Sequence, residues 1–394
     1  MHRPSGDIRR TSPAPPRLAG IDVLRGVAIL SVVFFHVLIV RPFAGPWWIR
    51  WVGQGAEGVG LFFLISAWSL SASWRYRAGR DRRPVRSFWA RRFWRIAPMY
   101  YLMLVVTGIF TRGKSNVAPA AMRANPHTWP SFLAHVTFVF GWLPAFQNSW
   151  IGVEWSIGAE ATFYLLFPWL VGFLQSSARA AWGLLATIAL AWMWPYLLTH
   201  WPGVSWPRWA GGFFVWAFPA QAFWFVAGLW IAALTSRADL PKRPVWWGWG
   251  VLWILTAGIA ASYRWNPMMG NLVWLLPNML LLALTVRNAS GLRILTQNRV
   301  LRYVGQRSYS LYLVHWVVLQ SVVMRYVPAA SPSTVTGFLV RAGITLPLSL
   351  LLSEVGYRWV EQPGLAWGRR WIARHLNGPE APVSAGRETR RAST

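Results

Sequence analysis

Apolar runs of about 17 residues or more recur along the chain, separated by short polar stretches. A soluble domain of 394 residues does not repeat such runs, and a helix needs about 20 of them to cross a bilayer. The pattern predicts an all-α polytopic membrane protein, a bundle of about ten transmembrane helices. The predicted spans are 21–41, 57–74, 97–111, 157–175, 180–199, 210–235, 245–263, 269–287, 308–327 and 335–359. Phe132 to Phe146 is also apolar, but it is short and broken by Gly141 and Pro144. It is expected to be interfacial or re-entrant rather than a span.

Charge orients this bundle. The stretch 75–95 holds Arg75, Arg77, Arg80, Arg82, Arg83, Arg86, Arg91, Arg92 and Arg95. The loop near 287–307 adds Arg287, Arg293, Arg299, Arg302 and Arg307 without an acidic residue, and 236–244 adds Arg237, Lys242 and Arg243. The alternate loops are sparse, with Arg41 and Arg50, Arg208, and Arg264. Ten spans put every rich loop on one side together with both termini, which are therefore expected in the cytoplasm. Residues 1–17 form a basic, Pro-rich tail; no small-residue cleavage site follows the first apolar run, so a cleavable signal is not expected. Residues 18–375 are expected to be the membrane domain, and 376–394 a disordered polar tail.

Within the first span, IDVLRGVAILSVVFFHVLIV, stand Asp22, Arg25 and His36. Ionisable groups in hydrocarbon are costly and by default functional. Eleven residues make about three helical turns, so Arg25 and His36 share one face, roughly 16 Å apart along the axis. The competing reading makes Asp22 and Arg25 boundary anchors and His36 a hydrogen-bonded bundle residue.

Further polar clusters lie at span ends. In WIGVEWSIGAEATFYLLF, Glu154 and Glu160 are six apart and on opposing faces. Glu160 is read as the deeper one, needing a partner such as His36, Arg25 or a hydroxyl; a structural interhelical ion pair is the alternative. Tyr309, Ser310 and Tyr312 lead to His315, read as lining a site or as structural. Arg92 and Arg95 share a helical face at the membrane boundary, suited to phosphates or to anchoring. Pro363 is expected to end the last span, with Glu361 pairing a nearby arginine.

Composition narrows the chemistry. Lys and Arg number 39 against 11 Asp and Glu, which in a polytopic chain reads as positive-inside loops meeting anionic lipid rather than nucleic acid. There is no cysteine, so neither disulfides nor thiolate chemistry. No Walker loop, dinucleotide glycine pattern, HExxH metal constellation or GxSxG turn occurs, so no metal and no tightly bound cofactor are expected. The 31 Trp are read mainly as interfacial belts.

The motifs IDVLRG with His36 eleven positions after Arg25, GAEGVGLFFLIS, RRFWRIAPMYYL, WSIGAEATFY, YSLYLVH and YRWVEQP occur in this order. Over roughly 18–370 the chain resembles the acyltransferase 3 family of bacterial integral-membrane O-acyltransferases. The resemblance implies a ten-helix enzyme of the bacterial cytoplasmic (inner) membrane. It implies transfer of an acyl group, often acetyl, from cytoplasmic acyl-CoA to a hydroxyl of a sugar-containing acceptor. The family's Arg-x10-His pattern falls on Arg25 and His36, its Trp-Ser-x-x-x-Glu on Trp155, Ser156 and Glu160, and its Arg-x-x-Arg on Arg92 and Arg95. Its Tyr-Ser-Leu-Tyr-Leu-x-His run falls on Tyr309 to His315, and its closing Glu-x-Pro on Glu361 and Pro363. Two positions depart: Gly60, where the family often has an acidic residue, and Ala67, where it often has Gly. The short C-terminus leaves no room for the hydrolase-like domain fused to some members, so if the reaction needs such a domain it is expected on another protein.

These residues outline a reaction. CoA phosphates would rest on Arg92 and Arg95 while Arg25 meets the thioester end, and His36 would be general base on the acceptor hydroxyl with Glu160 orienting it. Arg25, Ser156 and Trp155 are candidate oxyanion donors, and an acyl-histidine intermediate remains open. The other class is a secondary transporter, proton-coupled or not, using the same intramembrane Arg, His and Glu; the halves show no convincing repeat.

Overall fold

The computed structural model describes residues 18–43, 45–111, 128–200, 206, 211–236, 267–287, 297–330 and 332–377. Every regular element among them is helical. In chain order these are α1 (Ala19–Ile39), α2 (Trp47–Gly53), α3 (Gly58–Arg77), α4 (Pro84–Thr111), α5 (Trp129–Val136), α6 (Trp155–Phe173) and α7 (Ser177–Thr199). Then follow α8 (Gly211–Trp216), α9 (Phe218–Thr235), α10 (Pro267–Val286), α11 (Arg299–Gln306), α12 (Ser308–Val318), α13 (Val335–Gly356) and α14 (Gln362–Ile372).

Six helical stretches among the described residues are long and apolar enough to cross a membrane. The predicted count of ten therefore stands only in its coarser form, a multi-pass helical protein. The predicted span 245–263 lies outside the described residues. Three other expectations change. The arginine-rich stretch 75–95 is not one loop: α3 runs to Arg77 and α4 begins at Pro84, so Arg86, Arg91, Arg92 and Arg95 ride on a helix of 28 residues. Pro84 suits a first helical position, where no N–H is needed. The predicted span 210–235 is recovered as the apolar stretch Gly212–Thr235, but as two helices rather than one, broken at the extended Ala217 ahead of Pro219. The last span does not end at Pro363: a π-helical turn, Tyr357–Glu361, joins α13 to α14, and Pro363 sits in the first turn of α14. There its missing N–H costs little.

The bundle has an inside and a lipid side. In the apolar window of Gly212–Thr235, which carries α9, 78% of residues are buried, whereas in that of α7 only 11% are. The two helices pack against each other, and α9 also packs on α3. Trp182, Leu185, Trp192 and Met193 of α7 face outward. For a soluble protein such a surface is a liability; in a bilayer it is the lipid contact.

Two glycines seat the helix that matters most. The amphipathic α11 lies against the first half of α1. A Cβ on Gly305 would stand 1.6 Å from the Asp22 carbonyl oxygen, and one on Gly26 would stand 2.1 Å from that of Leu301. Only a residue without Cβ lets the two backbones approach so closely.

Candidate active site

Arg25, near the start of α1, stands in a layer of charge. Its Nη1 is 3.5 Å from Asp22 Oδ1, and Gln306 Nε2 from α11 is 3.5 Å from the other Asp22 oxygen. Arg25 shares its electrostatic surroundings with Arg95, Glu160 and Tyr164. Arg95 of α4 forms an ion pair with the buried Glu361 carboxylate, whose second oxygen accepts from Ser310 Oγ at 2.9 Å. Tyr309 lies under the Arg95 guanidinium, 5.6 Å from ring centroid to Cζ, and donates to the Ile96 carbonyl at 2.8 Å. Arg92, one turn earlier, has no carboxylate partner among the described residues. Its guanidinium stands 5.9 Å and 5.8 Å from the Phe88 and Tyr164 ring centroids, and its Nε is buried with no hydrogen-bond partner.

Glu160 belongs to this charged layer. Its Oε1 accepts from Ser66 Oγ at 2.8 Å and from the Tyr164 hydroxyl one turn along α6. It has no hydrogen bond to His36 among the described residues. It is also not the more enclosed of the two glutamates: Glu154, before α6, is fully buried. Glu154 accepts from the Trp150 and Gly152 amides at 2.7 and 2.5 Å and lies 3.5 Å from His135 Nε2.

His36, on the last turns of α1, meets a second histidine. His36 Nδ1 lies 2.9 Å from the Val32 carbonyl and 3.1 Å from His315 Nε2. His315 Nδ1 lies 3.1 Å from the Leu311 carbonyl. A carbonyl only accepts, so each Nδ1 carries a proton. His36 Nδ1–H then points at both Val32 O and the lone pair of His315 Nε2, and a single set of tautomers satisfies all three contacts. In that set His36 Nε2 holds a lone pair, and among the described residues no group bonds to it. Trp316 and Phe35 pack edge-on against the ring, with centroids 5.0 and 5.2 Å away.

Ser156 and Trp155 form a third group beside this pair. Ser156 Oγ donates to Tyr312 Oη at 2.7 Å, and Tyr312 donates to the Val153 carbonyl at 2.5 Å. The Tyr312 ring is 5.8 Å from that of His315. Trp155 stacks on Trp216, at 5.7 Å, and meets Phe63 edge-on. The Ser156 hydroxyl hydrogen is thereby committed to Tyr312, while the ring contacts of Trp155 leave its indole N–H uncommitted.

The structure therefore gathers Arg25, Arg92, Arg95, Glu160, Tyr309 and Ser310 at one level, and His36 and His315 at another, with Trp155 and Ser156 beside the second. The Glu361–arginine pair expected from the sequence is present, with Arg95 as its arginine. Ser66 and Tyr164 were missed. The second had a visible signal, its spacing of four from Glu160 on one helix. No group of three or more His, Cys, Asp or Glu fit to hold a metal occurs among the described residues.

Against known families, residues 18–354 match the model described as an acyltransferase domain, acyltransferase 3. The chain belongs to the acyltransferase 3 family. It is an acyltransferase. Acyltransferase MdmB of Streptomyces mycarofaciens is 28% identical to it over 331 residues, 78% of this chain and 81% of that protein. O-acetyltransferase OatA of Staphylococcus aureus is 24% identical over 371 residues, 89% of this chain and 57% of that protein. The putative peptidoglycan O-acetyltransferase YrhL of Bacillus subtilis is 24% identical over 377 residues, 91% of this chain and 56% of that protein. The acyltransferase thus spans a little over half the length of the latter two relatives. No solved structure matches it.

Proposed function

We propose that this acyltransferase moves an acetyl group from acetyl-CoA at the cytoplasmic face of a bacterial inner membrane to a hydroxyl of a sugar-containing acceptor. A cell-surface polysaccharide or peptidoglycan fits the relatives' names, and a glycosylated small molecule fits the same chemistry. Family membership favours transfer over transport. The observation that carries the reading is the His36 ring, whose Nδ1 proton is held by Val32 O and His315 so that Nε2 is left as a base.

The charged layer suits the donor. Arg95 is committed to Glu361, so the phosphates of CoA fall to Arg92 and Arg25. Both guanidiniums offer several donors to phosphate oxygens. The pantetheine arm then follows the α1 face for roughly 16 Å, from Arg25 to His36. There His36 Nε2 accepts the proton of the acceptor hydroxyl as its oxygen attacks the thioester carbonyl. The C–S bond breaks, and His36 returns the proton to the departing thiolate. The products are the acyl ester and free CoA, and no other reactant is consumed. Glu160, fixed by Ser66 and Tyr164, holds the charged layer in shape and does not touch the base.

Membranes holding the parent enzyme or His36→Ala, supplied with radiolabelled acetyl-CoA and acceptor, test this. The variant should lose acyl transfer by about 10²–10⁴-fold at equal protein. Transfer close to the parent would overturn the assignment.

A further inference from the structure

His315 is fully buried, and its only hydrogen bond to another side chain among the described residues is to His36. We infer that His315 is a positioning residue that works as a neutral counterpart of the third member of a catalytic triad: its Nε2 lone pair holds the Nδ1 proton of His36 and turns the basic Nε2 outward. This rests on the reading of His36 as the base.

Three contacts argue it. The Leu311 carbonyl, at 3.1 Å, keeps the His315 proton on Nδ1 and so leaves Nε2 as an acceptor. The Val32 carbonyl, at 2.9 Å, requires the His36 proton on Nδ1. The two rings then meet donor to acceptor at 3.1 Å. The opposite polarity, a proton on His315 Nε2, would set a lone pair of His36 against the Val32 carbonyl. When His36 Nε2 gains the proton of the acceptor hydroxyl, the ring becomes an imidazolium. Its Nδ1–H bond to His315 becomes charge-assisted and shorter. That stabilisation exists only while the base is charged, so it favours the transition state over the resting enzyme. Val32 O keeps the Nδ1 proton on His36, so one proton moves in and out at Nε2 and none is passed on.

The surroundings suit a neutral partner. Among the described residues, no carboxylate, lysine or arginine hydrogen-bonds to His36 or His315. The neighbours of the pair are Phe35, Trp316 and Tyr312. A carboxylate here would need its own partner inside a lipid-buried bundle, whereas an imidazole does not. The arrangement is the orienting logic of the Ser-His-Asp triad with the acid replaced by a second imidazole.

Two amides of different reach test it. In His315→Gln the amide oxygen stands four bonds from Cα, as Nε2 does in histidine; in His315→Asn it stands three. Measured per enzyme molecule in membranes with labelled acetyl-CoA, Gln should keep kcat within about tenfold, and Asn should lose about 10²-fold, both with the KM for acetyl-CoA unchanged. If Asn is not found in membranes, His315→Leu stands in for it with the same expected loss. Equal kcat for the reaching and non-reaching variants would overturn the inference, and so would a loss confined to KM. Both results leave His36 as base untouched; only the His36→Ala measurement bears on that.

Discussion

Arg25 and His36 stand on the same helix, three turns apart, and their surroundings differ in kind. Around Arg25 are Asp22, Arg95, Glu160 and the Arg95–Glu361 pair, with Arg92 close by. Around His36 are a second imidazole, two aromatic rings and backbone carbonyls. The first level handles charge by pairing some of it and leaving cations over. The second handles polarity with no net charge, by matching donors to acceptors. Under the proposed function, the multiply charged phosphates of acetyl-CoA suit the first level. Under the same proposal, the second suits a proton that is picked up by His36 and returned within one turnover.

Breaking the charged level at its most buried pair should have the largest effect on the protein. Arg95→Met strands the Glu361 carboxylate, which is about 1% exposed. A loss of about 3–5 kcal/mol is expected, seen as a fall in folded protein on detergent thermal melts. Arg95→Met combined with Glu361→Met should recover most of it, because it is the stranded charge that costs. An unchanged melt for Arg95→Met would show that the pair contributes nothing.

Removing the unpaired cation should act on binding instead. Arg92→Ala should raise the KM for acetyl-CoA about 10–100-fold, the equivalent of one or two charge-assisted hydrogen bonds, with kcat nearly unchanged. A fall in kcat at constant KM would move Arg92 out of the donor site. The smallest effect is expected beside the neutral level. Ser156→Ala removes one donor to Tyr312, which keeps its bond to Val153, and should cost about 1 kcal/mol of stability and under tenfold in rate. A loss as large as that of His36→Ala would make Ser156 part of the chemistry.

How far these levels could be read in advance depends on the range of each interaction. The predicted span 21–41 is recovered as Ala19–Ile39, because an unbroken apolar run of the right length has few alternatives. The face shared by Arg25 and His36 followed from helical period alone. The stretch 75–95 misled because arginine density resembles a loop, although Arg86, Arg91, Arg92 and Arg95 lie on the helix from Pro84 and Arg91 pairs with Asp81 at 2.6 Å. Long basic side chains reach the interface from a helix as readily as from a turn. Pro363 misled for a local reason: the π turn before it had already released the usual i to i−4 register. The partner of His36 could not be read at all. It is 279 positions away, and an imidazole that accepts a hydrogen bond carries no sequence mark to separate it from one that merely packs. Glu160 was the more conspicuous candidate because it is charged, yet its bonds go to Ser66 and Tyr164.

The interlocked glycines at 26 and 305 bear on how the bundle can move. With backbone seated on backbone there, the first half of α1 has no slack to slide or swivel against α11. Any rearrangement of that half must carry both helices together, as one rigid strut.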